Sequence, residues 1–244
     1  MNVYDHILRL TTEHRKGLAV LIDPDKTDDA QITTLCTQFN EHRPDAILVG
    51  GSLVNNDTTA VVEALKRNTA APIVLFPGNA TQITPKADAM LLLSLISGRN
   101  PEFLIGQHVS AAMRIRNSGL ETIPTGYMLI DGGTPTSVQY ISSTLPIPAD
   151  KDDIAVATAV AGQMLGMRVI YLEAGSGARQ PVNPRMIHAV SRHIDIPLIV
   201  GGGLRTEADI EAACRAGADI VVVGTALERD PGLYTSVYNT VHRL

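Results

Sequence analysis

PLIVGGGLRTEADIEAACRAGADIVVVGT, residues 197–225, is the stretch on which the fold turns. It opens with an apolar run ending in three glycines (197–203), passes through a helical pattern over Glu207–Ala216, and closes on a second apolar run ending in Gly224 and Thr225. Continuous apolar runs of this length mark strands buried on both faces, as in a parallel sheet. Outward from this unit the same signal recurs in GLAVLID (17–23), DAILVGG (45–51), PIVLFPG (72–78), ADAMLLLS (87–94), PTGYMLID (124–131) and RVIYLEAG (168–175). Helical patterns at Thr27–His42, Asp57–Asn68, Pro101–Ser118, Asp152–Gly166, Pro184–His193 and Pro231–Val241 separate most of these runs. Strand–helix alternation repeated this often predicts an α/β protein of the (β/α)8 TIM-barrel class. The 244 residues match the roughly 250 of one such barrel. No linker or composition shift divides the chain, so residues 1–244 are expected to form one barrel domain.

Two irregularities interrupt the pattern. Only GNATQITPKADA separates the third strand from the fourth, too little for a full crossover helix, so a short helix or turn is expected there. After the fifth strand comes a long polar excursion, GGTPTSVQYISSTLPIPADKD (132–152); loops of this length on the catalytic face serve as lids or binding loops, or remain plain surface loops.

With 45% hydrophobic residues, 4% aromatics and no Trp, the core must rest on aliphatic side chains. Cys36 and Cys214 lie at helical spacing on apolar stripes and read as small buried hydrophobes. The N-terminal MNVYDHILRLTTEHRKG resembles no signal peptide and no long apolar run follows, so a cytosolic chain without membrane insertion is expected. A net charge of −5 argues against nucleic acid as a partner. None of the seven histidines forms a cluster; His6, His14, His42 and His242 fall near helix ends or the termini, where surface positions are the default.

The chemical signal lies in the last three strand ends, YLEAGSGA, GGGLRT and VVGTAL. Glycine permits close backbone approach to a ligand, and the loops after strands seven and eight hold phosphate in barrels of this type. One such turn alone would read equally as a tight turn; the combination points to a phosphorylated ligand, with helix N-termini beyond the turns adding partial positive charge. Asp23 ends the first strand and Ser52 follows the second. Together they suit Mg²⁺, which takes a few protein oxygens and completes its shell with water or phosphate. Taken singly, Asp23 reads equally as a cap or turn residue before Pro24, and Ser52 as a cap. Glu173 is a lone carboxylate in an otherwise apolar strand, costly unless it faces a polar mouth or a partner. Partial burial would raise its pKa and suit it to general base work, with a structural salt bridge as the alternative. Tyr171 shares its face of the strand.

LIDPDK, VGGS, FPGN, MGMRVIYLEAGSGA, VGGGLR and VVVGTALE, in this order, resemble the geranylgeranylglyceryl phosphate synthase family from about Leu21 to Glu228. The LIDP form, with Leu21, is similar to its larger-subunit group of archaea and some bacteria. The resemblance implies a modified barrel lacking a full third helix and a Mg²⁺-dependent prenyltransferase. Such an enzyme joins a prenyl group, geranylgeranyl in the family's name, from prenyl diphosphate to the C3 hydroxyl of sn-glycerol 1-phosphate. It implies Mg²⁺ at Asp23 and Ser52 and Glu173 as the base. It also implies a glycerol phosphate site made of Tyr171, Leu172, Glu173, Ala174, Gly175, Ser176, Gly177, Gly202, Gly203, Gly224 and Thr225. Phe103 falls where the family often carries an aromatic beside the prenyl channel, and homo-oligomers, dimers or hexamers, are implied. Two other readings stay open on the residues alone. One is a phosphosugar isomerase or aldolase, with Asp131 as a second acid–base group; the other is a non-catalytic phosphate- or flavin-binding barrel.

Overall fold

The computed structural model describes residues 2–244. Eight strands, β1 (Gly17–Ile22), β2 (Ala46–Val49), β3 (Ile73–Leu75), β4 (Ala89–Leu95), β5 (Glu121–Leu129), β6 (Val169–Glu173), β7 (Leu198–Gly201) and β8 (Ile220–Val223), pair in sequence order, all parallel. Pairing of β8 back onto β1 closes the barrel, so the expected fold class is the one observed. Strand periodicity divides the apolar residues into two sets. Ala19, Leu48, Val74, Leu91, Val169 and Ile199 fill the interior, while their neighbours Val20, Ile47, Ile73, Met90, Ile170 and Val200 pack outward against the helices.

Those helices are α1 (Val3–Thr12), α2 (Asp29–Glu41), α3 (Thr58–Asn68), α4 (Gln107–Ser118), α5 (Ser137–Ser142), α6 (Asp152–Met164), α7 (Pro184–Ser191), α8 (Glu207–Ala216), α9 (Thr225–Arg229) and α10 (Tyr234–His242). Helices α2 and α8 begin at capping boxes, Asp28 with Gln31 and Thr206 with Asp209. The third connection contains only a 3-10 turn, Ala80–Gln82, as its length requires. Both cysteines are buried, and burial pushes each thiol up to about 11.

Several boundaries differ from the sequence expectation. Helix α1, not anticipated, closes the N-terminal end of the barrel: Val3, Tyr4 and Ile7 join the interior cluster, and the Glu121 carboxylate accepts the Val3 and Tyr4 N–H groups at 2.7 and 3.0 Å. Strand β5 therefore starts at Glu121 rather than at Pro124, which invites reading as a strand start because proline donates nothing to a ladder. The helical pattern from Pro101 begins as a π-helical turn, Glu102–Gly106, before α4. His6 and His242 are not simple surface residues. The His6 Nε2 lies 2.8 Å from the Asp45 carboxylate, tying the first helix to the barrel floor; the His242 Nε2 stands 3.6 Å from the same carboxylate without a hydrogen bond, and burial holds His242 below the usual histidine pKa.

Candidate active site at the C-terminal mouth of the barrel

All the strands end at one face, where an open pocket is lined by residues of β1, β5, β6 and β8 and of the turns that follow β2, β3 and β7. Asp23, Ser52, Tyr171, Glu173, Gly175, Ser176, Gly177, Gly202, Gly203, Gly224 and Thr225 all border it. Leu172 and Ala174 do not: both sit fully buried in the layer between barrel and helices, and the Ala174 N–H is spent on the Gly201 carbonyl at 3.1 Å. Strand alternation is the reason, because a strand that turns Tyr171 and Glu173 inward must turn their neighbours outward.

Glu173 ends β6 and is only 5% exposed. One carboxylate oxygen accepts the Gly175 N–H at 2.6 Å, and no salt bridge reaches it among the described residues. Burial pushes its pKa up to about 7, partly offset by the Gly175 N–H, so the group exchanges its proton near neutrality. That environment favours proton transfer over a structural ion pair. Tyr171, completely buried one inward step below, has a hydroxyl that makes no well-formed hydrogen bond, yet it lies close enough to the Glu173 carboxylate to favour its charged form. Burial, and then the Glu173 charge, raise its pKa well above the usual tyrosine range, so it remains protonated.

The glycine cradle is forced by geometry at Gly202. Its φ is +77°, and a Cβ there would lie 2.5 Å from the Gly175 nitrogen and against the Glu173 carboxylate. Ser176 and Thr225 hydroxyls meet at 3.2 Å, joining the loops after β6 and β8 across the end of β7. The helix contribution to an anion site is narrower than the sequence suggests. Helices α7 and α8 satisfy their first amides with Asn183 and Thr206, and α8 adds Glu207 and Asp209 in its first turn. Only α9, starting at Gly224, lacks a side-chain cap at this face of strands six to eight.

On the opposite side, Asp23 pairs with Lys26, Oδ2 to Nζ 2.7 Å, while its Oδ1 accepts the Asp25 N–H at 3.1 Å. Burial opposes charging Lys26, but Asp23 and Glu228 outweigh it and raise its pKa. Asp25 in turn accepts the N–H groups of Asn55 and Asn56 at 2.9 and 2.8 Å, binding the loop after β1 to the loop that carries Ser52. Gln82, on the 3-10 turn and 2% exposed, donates to the Gly51 carbonyl at 2.8 Å and accepts the Gly51 and Gly78 N–H groups at 3.3 Å each. The turn that replaces the third helix thus fixes the strand ends beside Ser52.

Where that helix is missing, an apolar groove opens between the 3-10 turn, β4 and α4. The free space it holds is narrow, about 100 Å³. Ile83, Leu92, Phe103, Ala111, Ile115 and Ile141 are among its walls. Phe76 and Tyr127 border both groove and mouth. Val138 and Ile141 of α5 line the groove, and Thr136 and Tyr140 the mouth, so the excursion after β5 borders the site. Lys26, Gln82, Phe76 and Tyr127 carry no site signal in the sequence alone. Phe76 stands in FPG at a strand end and Tyr127 is register partner of Tyr171, a juxtaposition visible only once strand order is known.

Comparison with known proteins agrees with this architecture. The sequence profile of the PcrB family matches residues 10–243. A geranylgeranylglyceryl phosphate synthase of Chitinophaga pinensis is 49% identical over 241 residues, 98% of this chain and 96% of the relative. That of Thermococcus kodakarensis is 46% identical over 219 residues, 89% and 86% of the two chains. The crystal structure of (S)-3-O-geranylgeranylglyceryl phosphate synthase from Thermoplasma acidophilum, in complex with its substrate sn-glycerol-1-phosphate, superposes with a TM-score of 0.92 at 33% identity, covering 100% of both chains. Matched along nearly its whole length in profile, sequence and fold, this chain belongs to the PcrB family and, with these relatives, to the geranylgeranylglyceryl phosphate synthases.

Proposed function

We propose that this chain transfers a prenyl group, geranylgeranyl by the name of its relatives, from a prenyl diphosphate to the C3 hydroxyl of sn-glycerol 1-phosphate, with release of pyrophosphate. The observation that carries this reading is the position of Glu173. A buried carboxylate with a pKa near 7 stands in a mouth bordered on one side by a glycine cradle and on the other by the neck of an apolar groove. A phosphorylated acceptor in the cradle, a prenyl tail in the groove and a proton acceptor between them are what an ether-forming transfer requires. Glu173 takes the C3 hydroxyl proton as that oxygen attacks the allylic carbon, and the cradle makes the attack effectively intramolecular. Tyr171, protonated and without a well-formed hydrogen bond, can donate to an acceptor oxygen and orient it.

The oxygens at Asp23 and Ser52 fit Mg²⁺. One anionic and one neutral oxygen on adjacent strand ends, both open to the mouth, match a cation that leaves most of its shell to water and phosphate. Asp23 is charge-paired with Lys26 alone, and that exposed, flexible ammonium can exchange with a metal. Bound there, Mg²⁺ would neutralise charge on a diphosphate leaving group. The reading includes a cytoplasmic location; no described helix is long and apolar enough to cross a membrane. It also includes self-association into dimers or hexamers. Its support is an apolar stripe facing solvent along the π-helical turn and α4: Ile105, Val109 and Met113 are 59, 71 and 62% exposed.

The test is incubation with Mg²⁺, sn-glycerol 1-phosphate and a series of prenyl diphosphates, with product masses read out. Ether product from at least one donor is expected. No ether product from any donor would reject the function, and preference for sn-glycerol 3-phosphate would reject the stereochemical part.

A further inference from the structure

Three of the chain's nine Phe and Tyr side chains meet at one point. Phe76 stacks on Tyr171 with ring centroids 5.4 Å apart, Tyr127 lies 5.4 Å from Tyr171, and Phe76 and Tyr127 meet edge to face at 5.8 Å. Phe76 and Tyr127 retain only 8 and 7% of their exposure, and both border the groove and the mouth. With Gly51, Ser52, Val138 and Ile141, which also border both, the rings form the neck between an apolar compartment and a polar one.

An amphiphile with its tail in the groove and its charged head in the mouth must pass the neck at the bond joining tail to head. In a prenyl diphosphate that bond links C1 to the leaving oxygen. We infer that Phe76 and Tyr127 are catalytic residues whose ring faces stabilise the positive charge developing at the allylic carbon, an inference that rests on the proposed transfer. The C1–O bond breaks with its electron pair leaving on the diphosphate. A new C1–O bond forms from the C3 hydroxyl of the acceptor, and the hydroxyl proton passes to Glu173. Between breaking and making, C1 carries partial positive charge at the neck, with Glu173 and the other mouth carboxylates, Asp23, Asp25, Glu228 and Asp230, on its polar side. The electron-rich faces of desolvated rings attract such charge, and exclusion of water protects it from capture.

The chemistry separates this role from mere filling of the top interior layer. Tyr127→Phe keeps the ring, whereas Tyr127→Leu and Phe76→Leu keep apolar volume and lose the π face. Each leucine variant is expected to lose about tenfold in kcat, ~1.4 kcal/mol of transition-state stabilisation, with little change in KM for the glycerol phosphate. Tyr127→Phe should retain most of the rate. A second readout needs no turnover: binding of a prenyl-chain ammonium, cationic where C1 stands, with inorganic pyrophosphate, against its neutral carbon isostere. Wild type should prefer the ammonium several-fold, and both leucine variants should lose that preference while still binding the isostere. Equal loss of ammonium and isostere binding, or wild-type kcat in both leucine variants, would overturn the inference. A wild-type chain that forms no ether product fails the proposed function itself, a separate result.

Discussion

Replacing Glu173 with glutamine should stabilise the protein while abolishing its chemistry. Burial holds the Glu173 carboxyl at about 7, where its ordinary value is 4.5. Below about pH 4.5 folded and unfolded chains both carry the proton, and the group contributes nothing. Between there and pH 7 the unfolded chain releases the proton while the folded chain retains it, so stability falls as pH rises. Above about pH 7 the cost levels off at about 3 kcal/mol. Glu173→Gln removes that cost and preserves shape. Its amide oxygen can still accept the Gly175 N–H, and its NH2 can donate to the Tyr171 hydroxyl. Urea unfolding of ligand-free wild type and variant at a series of pH values measures the difference. Near zero is expected around pH 4.5, rising to about 2–3 kcal/mol in favour of the variant at pH 8. For a chain of this size that is roughly 4–12 °C in Tm. Turnover should fall by about 10²–10⁴, the usual contribution of a general base, and the wild-type rate should climb with pH through about 7 and then level. A variant less stable at pH 8, or a difference independent of pH, would refute the buried-carboxyl account.

Gly202→Ala should cost about 1–3 kcal/mol in stability from its φ of +77°, because its Cβ must enter the space between Glu173 and Gly175. Thermal melts and acceptor titrations check it, with a fall in both acceptor affinity and kcat expected. Gln82→Leu strips the partners from two N–H groups and one carbonyl at the ends of β2 and β3, about 1–3 kcal/mol for each group left unpaired. Beyond a lower Tm, it should raise the Mg²⁺ concentration needed for half-maximal activity by several-fold, since Ser52 loses its support. Unchanged metal dependence in a folded variant would separate Gln82 from the proposed metal site.

How much of this was legible in the sequence follows from the range of the interactions concerned. Strands announce themselves through local composition, and glycines at three strand ends mark close approach because the residue type itself carries the constraint. Glu173 was visible for the same reason: one carboxylate in IYLEAG costs free energy unless something uses it. Helix α1 hides a plain stripe, Val3, Ile7 and Leu10, among charges that drew attention to secretion instead. Period two predicts that the Leu172 and Ala174 side chains face away from Tyr171, whereas motif resemblance carries all four residues together; in the barrel those two side chains pack outward.

The least legible features are those assembled by closure. Phe76, just past β3, and Tyr127 and Tyr171, on β5 and β6, are separated by long stretches of chain, and Asp23, Ser52 and Gln82 converge through three different loops. A short third connection reads from the sequence only as a missing helix. In the closed barrel its absence has two consequences at once. It uncovers the outer face of β4 at Leu92, opening the apolar groove, and it places Gln82 where an amide can lock the loops beside Ser52. The deletion that makes room for an apolar tail thus also anchors the proposed metal site, so length changes between Gly78 and Ala89 should alter chain-length preference and metal dependence together.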